Sequence, residues 1–326
     1  MTAPGTEWTH SLAPPGREWL AKATGLRAGS LRLTEMRGAT SSTLYLVEGP
    51  SGASGQRFVL RLFTLQEWLA TEPDLARHEV AALTAAVGSG VTVPEPVDYL
   101  PGPSPEEPDD PAGFGAPAVL MTHLPGRVEL TPADEALWVR ALAETLATVH
   151  SHSVASFAWR YRSWVADENV AVPAYAANRA LWEGAVDAYR RWRPADAAET
   201  FLHRDYHAMN LLFEGKGRGL RVAGVVDWVN ACLGPAASDV SHCRIDLLKM
   251  KGPAAADLFL REYRALRGGF AYDPVWDLEA VFDAAAPVAD VHAPWREFGL
   301  AGLHAETVQE RVEEHVRRAL VELGAG

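Results

Sequence analysis

Between Phe201 and His242 the chain reads FLHRDYHAMNLLFEGKGRGLRVAGVVDWVNACLGPAASDVSH. Three oxygen-bearing residues stand out by type and spacing: Asp205, Asn210 five residues on, and Asp227 beyond a short apolar stretch. A carboxylate such as Asp205 can orient an attacking hydroxyl and take its proton. An amide oxygen from Asn210 and a carboxylate from Asp227 are hard donors of the kind magnesium prefers, with phosphates and water completing the shell. These are the needs of phosphoryl transfer, which asks a protein for positioning and charge neutralisation more than for covalent chemistry. His203, two residues before Asp205, suits holding the loop backbone by hydrogen bonds. A lone Asp or Asn in a loop is usually a turn former or a cap. It is the combination HxDxxxxN, a strand pair and a strand-terminal Asp that points to catalysis.

Those residues need a scaffold, and the chain supplies one in two parts. Leu211 to Phe213 and Val222 to Val226 read as strands joined by a Gly-rich turn, with Asp227 delivered at the end of the second. Upstream, Leu44 to Val47 and Arg57 to Leu62 read as a strand pair, with Phe58, Leu60 and Leu62 on one face and Val59 and Arg61 on the other. A helix is expected over Asp74 to Val87, and a strand over Val93 to Tyr99 interrupted by Pro94 and Pro96. Residues 101–117, rich in Pro, Gly, Glu and Asp, read as an exposed loop. The apolar run Ala118 to Met121 follows, and the boundary between two lobes is placed there, giving 1–121 and 122–326. Beyond it the pattern is helical. Thr131 and Pro132 read as N-cap and first residue of a helix, with Asp134 as a capping-box acid and Trp138, Leu142, Leu146 and Val149 on its buried face. A C-terminal helix buries Val308, Val312, Val316, Leu320 and Leu323, with Glu313–Arg317 and Glu314–Arg318 as exposed pairs.

The segment HRDYHAMNLLF…GVVDW resembles the catalytic loop and metal-binding segment of the aminoglycoside phosphotransferase and choline kinase-like enzymes, relatives of the protein kinases. The resemblance implies an α+β, two-lobed protein kinase-like fold: a small antiparallel-sheet lobe that binds nucleotide and a larger, mainly helical lobe. It implies that Asp205 is the catalytic carboxylate, that Asn210 and Asp227 hold Mg2+, and that Asp239 braces the catalytic loop. Arg204 stands where small-molecule kinases commonly carry Gly. In the first lobe RGATSSTLYLV resembles the phosphate-covering turn, with Gly38 at its bend and Ser41 and Ser42 beside it. FVLRLF places Arg61 where protein kinases carry a phosphate-contacting Lys; the chain has only four Lys, at 22, 216, 249 and 251. Glu79 in ARHEVAAL matches the ion-pair partner. VLMTHLPG resembles the hinge, where backbone groups near Thr122 and His123 would read the adenine edge and Met121 would line the base pocket. LAETLATVH, Leu142 to His150, resembles the helix that precedes the catalytic region. The implied activity is transfer of the γ-phosphoryl group of Mg-ATP, or GTP, to a hydroxyl of an aminoglycoside-like or other small metabolite.

Composition narrows the partners. The 326 residues carry 42 Asp and Glu against 30 Lys and Arg, a formal net charge of −12. That balance disfavours nucleic acid and anionic membrane, whose binding rests on basic patches, and it suits an amino-bearing acceptor. Asp246, Asp283, Asp290 and Glu297 are candidates to meet one. The two cysteines, Cys232 and Cys243, make no disulfide framework, and no basic, apolar leader or membrane-length run is present, so a cytoplasmic protein is expected. Two alternatives stay open. One is a non-catalytic nucleotide-binding regulatory member of the same fold. The other is a metal-dependent hydrolase using His203, His207, Asp239 and His242 as ligands.

Overall fold

Alternate residues of RFVLRL face opposite ways, and the first unit of the structure is organised about that strand. The computed structural model describes residues 12–36, 41–50, 55–103, 109–192, 199–283 and 291–324. Strands β1 (Arg32–Glu35), β2 (Thr43–Glu48), β3 (Arg57–Leu62), β4 (Pro96–Leu100) and β5 (Ala118–Thr122) form one antiparallel sheet in the order β1-β2-β3-β5-β4. Phe58 and Leu60 of β3 join Tyr45, Val47, Ala118 and Leu120 in a buried cluster. Helix α1 (Pro14–Thr24) packs Leu20 into it, with Leu26, Leu31 and Leu33. A short helix α2 (Gln66–Thr71) follows β3, and α3 (Leu75–Ala86) follows that. Arg61, on the face of β3 opposite Leu60, is therefore turned away from the apolar cluster.

Several boundaries shift from those the sequence implied. β4 begins at Pro96, three residues after Val93: neither Pro94 nor Pro96 can donate a ladder hydrogen bond, and the register slips between Pro96 and Asp98. The described part of 101–117 contains no strand or helix, yet it is not simply exposed. Asp110 accepts the N–H groups of Gly113, Phe114 and Gly115, and this turn buries Ala112 and seats Phe114 edge-on against Trp19, 5.6 Å away.

The second unit is helical with two short hairpin-like sheets. The chain divides by internal contacts into residues 1–87, 92–125 and 227–230 on the one hand, and 88–91, 126–226 and 231–326 on the other. In the second unit α4 (Glu135–Ser151) packs on α7 (Pro253–Leu266), and α6 (Ala236–Lys251) packs on α7 and α8 (Val275–Asp283). α5 (Arg179–Arg191), a single turn α9 (Ala293–Trp295) and α10 (Ala305–Glu322) complete the helices. β6 (Thr200–Leu202) pairs with β9 (Cys232–Gly234), and β7 (Leu211–Glu214) with β8 (Arg221–Val225), both antiparallel. α4 starts at Glu135, later than the Thr131-Pro132 signal implied: the side chain that caps it is Asp134, which accepts the N–H of Leu137 at 3.0 Å. Its predicted face is buried, with Trp138, Leu142, Leu146 and Val149 all inaccessible.

The charge pattern of α10 also differs from the expected i,i+4 pairs. Glu313 accepts the N–H of Ala177 at 2.8 Å and the indole Nε1–H of Trp182 at 2.9 Å, anchoring the start of α5. Arg317 instead pairs with Glu314, and Arg318 reaches Asp257 on α7 at 2.7 Å. The Glu313 and Arg318 contacts are tertiary, and local spacing does not encode them. Among the described residues no helix is long and apolar enough to cross a membrane.

Candidate active site

β6 ends at Leu202, and the loop that follows is held rigidly by a helix laid beside it. β9, paired with β6, runs through Pro235 into α6, and this puts Asp239 in the first turn of that helix. Asp239 is fully buried and accepts from three donors: the backbone N–H of His203 and of Arg204, each at 2.8 Å, and Nε2 of His150 at 3.1 Å. Burial alone would raise its carboxyl, but the His150 bond and the His150 and His203 rings outweigh that and hold it below the ordinary carboxylate range. The far end of the loop is tied as well. His203 Nε2 donates to the Val226 carbonyl at 2.9 Å, and Val226 N–H donates to the Asn210 carbonyl at 2.9 Å.

On this braced loop Asp205 keeps a quarter of its side chain exposed, 27%. Its Oδ1 lies 3.1 Å from His242 Nε2 and 3.5 Å from His207 Nε2. Asn210 Nδ2 donates to the Asp205 backbone carbonyl at 2.9 Å and lies 3.4 Å from Oδ2. Burial would push the carboxyl up; the two imidazoles reverse this and hold it well below the usual range. Asp205 is thus an ionised carboxylate whose surroundings favour charge. With Nδ2 spent on Asp205, the Oδ1 end of Asn210 is the end left for a cation, and an amide oxygen is a donor that magnesium accepts.

Among the described residues only two non-glycine positions have positive φ, Arg204 at 71° and Asp227 at 65°. A side chain in that left-handed region costs about 1–2 kcal/mol. At Arg204 the cost is offset by stacking: its guanidinium carbon lies 3.5 Å from the ring centre of Trp164 and 4.8 Å from that of Tyr161. It also donates to the Arg162 carbonyl and lies 3.8 Å from Asp283. A glycine would fit this backbone more cheaply, but it would leave Trp164 and Asp283 without this partner.

The first unit holds the second cluster. Arg61 is buried, and its Nη1 bridges Glu79 Oε1 at 2.8 Å and Asp227 Oδ1 at 2.6 Å, while Nε donates to Ser42 Oγ at 3.0 Å. Burial works against the guanidinium charge, and the two carboxylates more than restore it. Glu79 has its carboxyl raised by burial and by Asp227 against the pull of Arg61. Two carboxylates on one cation leave the cluster with spare negative charge, which a metal ion would relieve. Ser41 and Ser42 line a small open pocket with Glu35, Thr43 and Thr64; Gly38 lies outside the described residues, as does Asp290.

In the hinge segment Thr122 N–H donates to the Glu95 carbonyl and His123 N–H to the Arg57 carbonyl, so these two donors are taken up by the protein's own backbone. Met121 is buried within β5. The hydrolase ligands are likewise committed elsewhere: His203 to Val226, Asp239 to the loop backbone, and His207 and His242 to Asp205. Among the described residues no group of three or more His, Cys, Asp or Glu is arranged to hold a metal. The role of His242 beside Asp205 was not legible in the motif, although its place one turn beyond Asp239 on a helix puts it at the loop.

A model of the phosphotransferase enzyme family matches residues 32–278. No curated protein matches the sequence. Solved structures align over nearly the whole chain. The GDP complex of wild-type aminoglycoside 2'-phosphotransferase-IIIa is 17% identical with a TM-score of 0.58, over 95% of this chain and 99% of that one. A thermostable mutant of aminoglycoside phosphotransferase APH(4)-Ia, with ADP and hygromycin B, is 15% identical with a TM-score of 0.57, over 92% and 97%. Macrolide 2'-phosphotransferase MphH from Brachybacterium faecium is 19% identical with a TM-score of 0.53, over 91% and 95%. At such identities the likeness shows the fold, a kinase-like α+β arrangement with an N-terminal five-stranded antiparallel sheet and a helical C-terminal region. With its family model spanning well over half of the sequence, the chain belongs to the phosphotransferase enzyme family.

Proposed function

We propose that the protein is a small-molecule kinase that moves the γ-phosphoryl group of Mg-ATP or GTP onto a hydroxyl of a small acceptor. The observation that carries this reading is the state of Asp205: an ionised carboxylate, partly exposed, on a loop pinned by Asp239. Such a group can orient the acceptor hydroxyl and take its proton as the oxygen attacks phosphorus. Asn210 Oδ1 and the Asp227 carboxylate would hold magnesium, an all-oxygen set that fits that ion. The metal would neutralise charge on the phosphates. Residues 1–121 would bind the nucleotide and 122–326 the acceptor.

Arg61 has a separable task. It keeps Glu79 and Asp227 in place and presents its charge beside Ser42, where it would meet phosphate. Arg61→Ala is expected to weaken triphosphate binding by at least tenfold while changing adenosine binding little, as titration calorimetry would read. An equal effect on both ligands would make Arg61 purely structural.

The acidic surplus favours an amino-bearing acceptor, and the relatives named above act on aminoglycosides and a macrolide by their names. Both cysteines are buried free thiols, which suits a reducing compartment such as the cytoplasm. The test is ADP release from Mg-ATP across aminoglycosides, peptide antibiotics, macrolides, amino alcohols and small sugars. Stimulation by one class is the expected result and names the acceptor family. No ADP release with any of them would overturn the kinase reading.

A further inference from the structure

Along α6, His242, Asp246 and Lys249 recur at i, i+4 and i+7, so they form one stripe on the helix. The stripe meets the catalytic loop twice. His242 Nε2 reaches Asp205 Oδ1 at 3.1 Å, while Asp246 lies 3.8 Å from His207 Nδ1, whose other nitrogen is 3.5 Å from the same Oδ1. Lys249 stands 3.8 Å from Asp246 and over the Trp295 ring at 5.1 Å, which ends the stripe. His207 is therefore shared between two carboxylates, whereas the short contact of His242 is to Asp205.

A carboxylate turns easily about its last bond, because that torsion is broad and nearly two-fold. Something must decide which oxygen faces the acceptor. The backbone does not: Asp239 fixes the peptide groups of His203 and Arg204. Asn210 bonds well to the Asp205 carbonyl and only loosely to Oδ2, at 3.4 Å. Of the side-chain contacts to the carboxylate, the His242 approach at 3.1 Å is the shortest. The carboxylate only accepts, so a hydrogen bond across this distance requires the proton on Nε2 of His242.

We propose that His242 is a positioning residue of the transfer step, its Nε2–H holding Oδ1 of Asp205 so that Oδ2 meets the acceptor hydroxyl. This rests on the kinase reading above. It assigns His242 a role through Asp205, with no contact to nucleotide required.

The experiment compares wild type, His242→Leu, His242→Gln and Asp205→Asn by ADP release from Mg-ATP, alone and with the best acceptor of the panel. Leu fills the space without a donor; Gln restores one. His242→Leu is expected to lower kcat about ten- to a hundredfold, the scale of a catalytic group misplaced by an ångström, with KM for ATP within about twofold. His242→Gln should recover most of that loss. Equal losses in Leu and Gln variants would make the residue a packing element, and wild-type kcat in His242→Leu would deny it any role; either result overturns the proposal while Asp205→Asn remains inactive. If Asp205→Asn instead releases ADP like wild type, or wild type releases none, the kinase reading itself fails and the positioning role falls with it.

Discussion

Asp205→Asn is expected to lower turnover by about two to four orders of magnitude, the usual worth of a positioned general base. Asn keeps the size of the side chain and an oxygen to accept from His242, so the loop should stay in place. What it loses is the ability to take a proton from the acceptor and to draw the two imidazoles by charge. Affinity for Mg-ATP should hold near the wild-type value, because Arg61, Ser42 and Asp227, the residues proposed to meet the phosphates and the metal, are untouched. Single-turnover transfer and calorimetric nucleotide titration, run on the same sample, separate these effects. Near-normal turnover would remove Asp205 from the mechanism. Because burial is overridden by His207 and His242, the Asp205 carboxyl titrates below the ordinary value of about 4. The base should then stay ionised through mildly acid pH, and any acid limb of activity above about pH 5 belongs to another group.

Much of this site was legible because its parts are local in sequence. HxDxxxxN followed by two short apolar runs fixes a loop and a hairpin, and β7 and β8 fall within a residue of where alternation put them. β3 is found at Arg57–Leu62, and its alternation alone turns Arg61 away from the apolar cluster. The failures have a different origin. Thr131 looked like a cap because Ser, Thr and Asp compete for that role on similar terms; Asp134, nearer the first buried turn, takes the Leu137 N–H. Glu313 and Arg318 read as local pairs, but each finds a partner on another helix, which i,i+4 spacing cannot report. Backbone bonding leaves no mark in residue type, so the sequence could not report that the N–H groups of Thr122 and His123 are bonded to Glu95 and Arg57. His242 was missed as a partner of Asp205 because 37 positions of chain separate them. Only the turn of α6 that carries Asp239 under the loop carries His242 there too.

That dependence on α6 makes Asp239→Ala the most damaging single change expected for folding, at about 3–5 kcal/mol. The deletion strands three donors in the interior: two backbone N–H groups and the Nε2–H of His150, whose Nδ1 faces the Tyr263 hydroxyl at 2.6 Å. Unmade bonds at buried donors cost more than the same bonds gain when formed. Asp239→Asn should be a poor remedy despite its matching size. All three partners donate, and an amide offers one accepting oxygen and an NH2 that must confront a donor. Urea unfolding at pH 7 should therefore rank wild type above Asn and Ala variants, with Asp205→Asn close to wild type. The pH dependence gives a second handle. The folded Asp239 carboxyl lies below its unfolded value, so its stabilisation is fully present above about pH 4 and fades as pH falls through the lower folded value. The stability gap between wild type and Asp239→Ala should accordingly be constant from neutral pH to about 5 and narrow only in stronger acid. A gap that closed near pH 6 instead would assign the effect to a group other than Asp239, and a variant as stable as wild type at pH 7 would mean that the loop does not depend on α6 for its shape.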